Sequence, residues 1–328
     1  MNDKRRWFIS AFSLLIIGGL VAWALKNAPL PEIWATIRRL QLWQIVLLVL
    51  LNGLLYCLVS LRWWIIVRAQ SQHVPFWPLV LVRVAVFGVS YFTLGPQVGG
   101  EPLQVLALQR RYGLTYSRAT ASVLMDKLLE FLVNFLLLAL GLTAVLRAGL
   151  LLENNLRLNG SLVLLGGLVS WPPIHISLMY RRIYPLTLML RALPFLPGRS
   201  GPVRFVRAAE WLAGTFCQRH PGALLASLGV SLLAGAGMLL EYALLLSFLG
   251  IRLPFWQALA GWTAGWLSFL APLPGGLGAL EASQVFALGA FGISAATAIS
   301  VTLLMRARDL VVGGLGLLLA GDGFSRVK

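Results

Sequence analysis

The sequence predicts an all-α polytopic membrane protein with about six full spans and two broken or re-entrant helical hairpins in an inverted-topology repeat. Three observations predict it. Hydrophobic residues make up 59% of the 328-residue chain and mean hydropathy is +0.82, while charged residues are only 12%, about half the share usual in soluble domains. Several runs of 18 or more largely apolar residues have the length of a membrane span. Finally, the chain matches itself at an offset of 179 residues: Pro75-Phe76-Trp77 falls on Pro254-Phe255-Trp256, Tyr112 to Thr115 on Phe291 to Ser294, Lys127 on Arg306 and Glu130 on Asp309. One such match could be chance, but several at a single offset mark an internal repeat.

Taken in order, the segments are an N-terminal span and outer segment (1–41), a first repeat (42–147), a connecting span with a basic cytoplasmic segment (148–220) and a second repeat (221–328). Lys4-Arg5-Arg6 precedes an apolar run from Trp7 to Leu25. The run resembles a signal peptide but is long for one, and reads as an uncleaved first span. A second span covers Leu42 to Val67. Pro75 to Gln109 is the first broken element: an apolar arm from Leu79 to Leu94, a break through Gly95, Pro96, Gly99 and Gly100, and a shorter arm starting at Glu101-Pro102. Proline suits the first turn of a helix. A long span follows Arg118 and ends near Leu146, and another runs from Leu162 to Met179. The stretch from Arg181 to Arg219 carries seven arginines against Glu210, which suits a positive-inside loop lying on anionic headgroups. Within it Val203 to Phe216 fits an interfacial amphipathic helix. The second repeat contains a span from Gly222 to Leu249, a broken element from Pro254 to Ala290 interrupted at Pro274, Gly275, Gly276 and Gly278, and a last span from Ser294 to Ala320.

Non-helical backbone at such breaks cannot be satisfied by lipid, so it must be buried in protein or line a wet cavity. The basic loops place both chain ends on the cytoplasmic side, with Pro75 near that face and Pro254 near the outer one. Inverted repeats with broken helices are typical of secondary transporters, whose sites lie near the bilayer midplane.

The charges inside the spans are the candidate substrate or ion pathway: Glu101, Asp126, Lys127, Glu130, Glu281, Arg306, Arg308 and Asp309. Asp126 to Glu130 lie 8 to 12 residues past Arg118, roughly 12–18 Å deep at the helical rise. Arg306 to Asp309 lie 12 to 15 residues past Ser294. Each unpaired charge at that depth costs about 2.5–3.5 kcal/mol, so these groups must be paired or wet. Two pairings are open. Lys127–Glu130 and Arg306–Asp309 can pair within their helices at i,i+3. Alternatively, Lys127 meets Asp309 and Arg306 meets Glu130 across the repeat interface. Glu101 and Glu281 stand at half-helix starts, suited to capping or to a cation-coupled role. Arg62 is expected to snorkel to the inner face, and Glu241 to need a partner such as Arg83. Trp63, Trp64, Trp77 and Trp256 fit interfacial belts.

Cys57 and Cys217 form no disulfide framework, and the three histidines have no metal-ligand spacing. No cofactor motif, phosphate-binding loop or nucleophile elbow appears. The net charge of +16 resides mostly in loops between apolar runs, which fits a membrane surface better than nucleic acid.

At PLPGGLGALE, through Pro274, Gly275, Gly276, Gly278 and Glu281, the chain resembles the lysylphosphatidylglycerol synthetase transmembrane-domain family of flippase-like proteins. The P-x-x-G-G-E from Pro96 to Glu101 and the charged spans around Asp126 and Arg306 extend the likeness over nearly the whole chain. It departs at Gln97 and Gln104, where many relatives carry arginine. The resemblance implies a stand-alone lipid translocase of the bacterial-type inner membrane rather than an aminoacyltransferase. The expected cargo is an amphiphilic lipid, anionic or modified at its headgroup. Expected partners are membrane lipids, with a homodimer or a separate lipid-modifying enzyme as further candidates. The alternatives are a membrane-embedded enzyme on lipid-linked substrates and a non-transporting partner of a glycosyltransferase or aminoacyltransferase.

Overall fold

Helices account for all the regular structure among the described residues of the computed structural model, eleven of them and no strand. These residues are 40–323, apart from 72, 93–98, 148–154, 194–199, 270–275 and 277, with isolated positions between 31 and 38. The expected first span (Trp7 to Leu25) therefore lies outside them, as do Gly95, Pro96, Gln97, Pro274 and Gly275. The helices are α1 (Leu42–Gln70), α2 (Phe76–Phe92), α3 (Glu101–Tyr112), α4 (Tyr116–Arg147), α5 (Asn155–Tyr180), α6 (Pro185–Arg191), α7 (Gly201–Arg219), α8 (Pro221–Phe248), α9 (Phe255–Ser268), α10 (Ala279–Gly289) and α11 (Ala295–Gly323). Three stretches are long and apolar enough to cross a membrane by themselves: Leu42–Gln70, Tyr116–Val145 and Pro221–Phe248. Helix α11 has 29 residues, enough length, but carries Arg306, Arg308 and Asp309.

The helices repeat as the residues do. Helices α1, α2 and α4 begin 179 residues before α8, α9 and α11, and α3 begins 178 before α10. Packing follows the same correspondence: α1 lies along α8, α2 along α11, and α4 along α9, while α3 rests on α4 as α10 rests on α11. Exchanging the two halves maps these contacts onto one another. Helix α2 meets α11 almost backbone to backbone, because a Cβ on Gly88 would come within 2.5 Å of Gly313 O and one on Gly316 would overlap Val84 O. Small residues at a crossing allow this approach, and dispersion contact is what holds helices together in lipid.

The breaks are shaped by glycine. Gly99, Gly276 and Gly278 have φ of 129°, 62° and 78°, which side-chain-bearing residues rarely adopt. Gly100 is pressed against α2, so a Cβ there would sit 2.6 Å from Val86 O.

Helix α7 corrects one expectation. Much of its apolar face packs inside the protein: Val203, Ala209, Ala213, Phe216 and Cys217 are buried, the last three in a core formed with α1, α4 and α5, while Phe205 and Trp211 stay exposed. Glu210 points inward too and caps α6, accepting from the Leu186 N–H at 2.8 Å, the Thr187 N–H at 2.9 Å and the Thr187 hydroxyl at 2.6 Å. Burial pushes this carboxyl up. The contacts with His175, Thr187 and the two backbone amides outweigh burial and hold it below the ordinary 4.5.

Candidate functional site

Helix α4 brings Asp126, Lys127 and Glu130 to one stretch of its surface, and the neighbouring helices supply their partners. Arg62 of α1 donates from Nε to Asp126 Oδ1 at 2.6 Å and from Nη2 to Glu130 Oε2 at 2.9 Å. Arg83 of α2 donates from Nη2 to Asp126 Oδ2 at 2.6 Å. Asp126 is fully buried between two guanidiniums. Arg62 is 3% exposed and so does not snorkel to the inner face; a carboxylate pair holds it inside the bundle. Trp63 beside it is buried as well and directs its ring N–H toward Ser122. It belongs to the core rather than to an interfacial belt, whereas Trp77 and Trp256 stay exposed.

Glu101 and Glu281 do two things at once. Each accepts a backbone N–H at the start of its own helix, from Gly99 at 2.8 Å and Gly278 at 2.9 Å. Each also meets the charge on the following long helix. Lys127 Nζ lies 3.2 Å from Glu101 and 3.1 Å from Glu130. Arg306 donates to both oxygens of Glu281, at 2.8 Å from Nη2, and to the Gly276 carbonyl at 3.1 Å. The intrahelical Lys127–Glu130 pair is present. For the other expected pairs the structure substitutes different partners. Arg306 takes Glu281 rather than Asp309 or Glu130, and Lys127 takes Glu101 rather than Asp309. Pairing runs between each short half-helix and the long helix after it, because those elements pack directly on one another.

Glu241 of α8 does not pair with Arg83. It accepts from Arg308 Nη1 at 2.7 Å and from Asn52 Nδ2 at 3.3 Å. The same Arg308 donates from Nε to Asp309 Oδ1 at 2.8 Å. Sequence reading missed Asn52, and also Gln284, which donates to the Gly261 carbonyl at 2.7 Å and accepts the Tyr242 hydroxyl at 2.6 Å. Gln104 sits one residue off the equivalent position of the first half, fully buried, with neither side-chain polar atom partnered.

Most of these groups face one space. A cavity of about 290 Å³ is walled by helices of both halves and reached by Arg62, Arg83, Lys127, Glu130, Arg308 and Asp309, among others. Of the predicted pathway residues, Glu101 also lines it, Asp126 lies behind Arg62 and Arg83, and Glu281 and Arg306 form a separate pair. Among the described residues no group of three histidine, cysteine or carboxylate side chains is placed to hold a metal.

The family model for the lysylphosphatidylglycerol synthase TM region matches residues 10–316. The chain belongs to this family. The UPF0104 membrane protein PH1989 of Pyrococcus horikoshii is 26% identical over 300 residues, covering 83% of this chain and 87% of that protein. No solved structure matches. As a lysylphosphatidylglycerol synthase TM-region protein, this chain is an integral, multi-pass membrane protein with a lipid-related function. The glycine break at Pro274 to Gly278 and the charged stretches of α4 and α11 all fall within the matched region.

Proposed function

We propose that the protein is a lipid translocase rather than an enzyme, moving an amphiphilic lipid between leaflets of the cytoplasmic membrane through the polar cavity between its halves. One observation carries this reading: ionised side chains line a cavity walled by apolar helices of both repeats. Charges at that depth are costly, and they cluster where a polar group must pass. A headgroup, anionic or modified, would travel through this space while its acyl chains stay in lipid. The half-helix start at Glu101 lies on this route. In this reading the halves are inverted in the bilayer and alternate in opening to each side, and both chain ends are cytoplasmic.

Reconstitution of the pure protein into liposomes with a fluorescent lipid tests it. Translocation above protein-free vesicles, lost in Arg308→Ala, whose side chain lines the cavity, is the expected result. Turnover of a lipid-linked substrate without translocation would point to an enzyme instead. The inversion has its own test. In a Cys57→Ser background, cysteines placed at His73 and Arg252 should react with a membrane-impermeant maleimide from opposite sides, and labelling of both from one side removes the inverted arrangement. Cys217 should stay silent, since burial pushes its thiol up to about 11.

A further inference from the structure

Every charged side chain on the cavity wall is already answered within the protein. Arg62, Lys127 and Arg308 meet the carboxylates of Glu101, Glu130, Glu241 and Asp309 there, and Arg83 meets Asp126 just behind. Four cations and four carboxylates thus line the space, and Asp126 adds a fifth carboxylate behind them. No positive charge is left over to attract an anion. What the wall leaves uncommitted is neutral. The Tyr56 hydroxyl of α1, the Asn134 amide of α4 and the ring N–H groups of Trp262 and Trp266 of α9 make no hydrogen bond among the described residues. Both tryptophans are nearly buried, and buried hydroxyls and indoles rarely lack a partner. Arg83 Nε, buried behind the same wall, lacks an acceptor as well.

The rest of the lining is rich in rings. Tyr56 and Phe87 meet edge to face at 5.8 Å in the first half, and Trp262, Trp266 and Phe269 come from the second. Neutral donors and acceptors set among aromatic rings match a group whose hydroxyls both donate and accept and whose C–H faces lie on rings. A few polar groups amid apolar walls are enough to orient such a ligand. A volume of about 290 Å³ stands at the low end of small-molecule sites, room for one ring rather than a chain of them. We propose that the headgroup bound in this cavity is neutral and hydroxyl-rich, a single sugar or a glycerol unit carried on a lipid, and that Tyr56, Asn134 and the two tryptophans hold it. The movement of that lipid rests on the translocase reading; its binding does not. The charged groups keep the space polar, and the uncommitted neutral ones choose what enters.

Native mass spectrometry of the full chain, titrated with lipids of matched acyl chains in a sugar-free polyoxyethylene detergent, reads the preference. Monohexosyl diacylglycerol should bind at least about fivefold more tightly than phosphatidic acid or phosphatidylcholine, which carry charge without alcohol hydroxyls. Tyr56→Phe, which keeps the ring, and Asn134→Leu should each weaken binding of the hexosyl lipid about 2- to 10-fold and leave phosphatidic acid binding unchanged. Phosphatidylglycerol separates the two sources: affinity equal to that of the hexosyl lipid assigns hydroxyl-rich headgroups in general, and weaker affinity assigns the sugar. Phosphatidic acid bound as tightly as the hexosyl lipid overturns the proposal, as does hexosyl-lipid binding that neither variant alters. No lipid crosses a bilayer in this assay, so the headgroup site and the translocase reading can fail separately.

Discussion

The first half, 42–147, and the second half, 221–323, use the same four-helix plan for different electrostatics. In the first, Asp126 is gripped by two arginines and nothing remains unbalanced. In the second, the residue equivalent to Asp126 is Met305, the one equivalent to Arg62 is Glu241, and one arginine serves two carboxylates. The first half is therefore a closed lattice of ion pairs, while in the second two carboxylates divide one guanidinium. A duplicated fold can keep its backbone while its two copies carry different charge patterns.

Breaking the closed lattice should have the largest effect. Asp126→Ala strands two arginines in a dry site and should cost about 3–5 kcal/mol, the usual penalty for removing one partner of a buried pair. Thermal unfolding in detergent would show it as a large loss of Tm, and the equivalent Met305→Ala should cost less. Next, Gly316→Val pushes α11 off α2 and should destabilise by about 1–3 kcal/mol as an overpacked contact, whereas Gly314→Ala, facing open space, should change little in the same assay. The quasi-equivalent pairs Glu101–Lys127 and Glu281–Arg306 give a sharper comparison. Double-mutant cycles on each should return coupling of about 0.5–3 kcal/mol. The second-half value should be the larger, because Arg306 holds both oxygens of Glu281 while Lys127 divides itself between two carboxylates.

A smaller effect lies outside both halves. Glu210 is held below its ordinary value, so the stability it lends is complete above pH 4.5 and is lost as pH falls through the lowered value. Melting curves of wild type and Glu210→Gln should differ at neutral pH and converge under acid. Smallest of all, Arg182 has a left-handed φ of 63° just past α5, and Arg182→Gly should raise stability by up to about 1 kcal/mol.

What the sequence made legible, and what it did not, follows from the range of the forces involved. The breaks were legible because left-handed backbone at Gly99, Gly276 and Gly278, and close approach at Gly100, select glycine locally. The repeat, the helix order and the charged stretches of α4 and α11 were legible because hydropathy and offset matching need no third dimension. The pairings were mostly hidden. Spacing shows that Lys127 and Glu130 share a helix face, and that pair exists. Spacing cannot show which helix lies opposite, so it directs Arg62 to the inner face rather than to Asp126, and Glu241 to Arg83 rather than to Arg308. One available signal would have helped: Arg62 and Glu241 stand at the repeat offset, so a site built around one predicts a charged site around the other. Asn52 and Gln284 carried no such mark, being ordinary polar residues until neighbours bury them.

The way the ion pairs are distributed bears on motion. Each described ion pair of this network lies within one half, while the seams between halves bring Gly88 against Gly313 and Gly316 along α2–α11 and Gly237 against Leu55 along α1–α8, with the neutral Asn52 reaching across to Glu241. Sliding along such a seam swaps one set of dispersion contacts for another and separates no opposite charges. In the translocase reading the halves would move without parting these ion pairs.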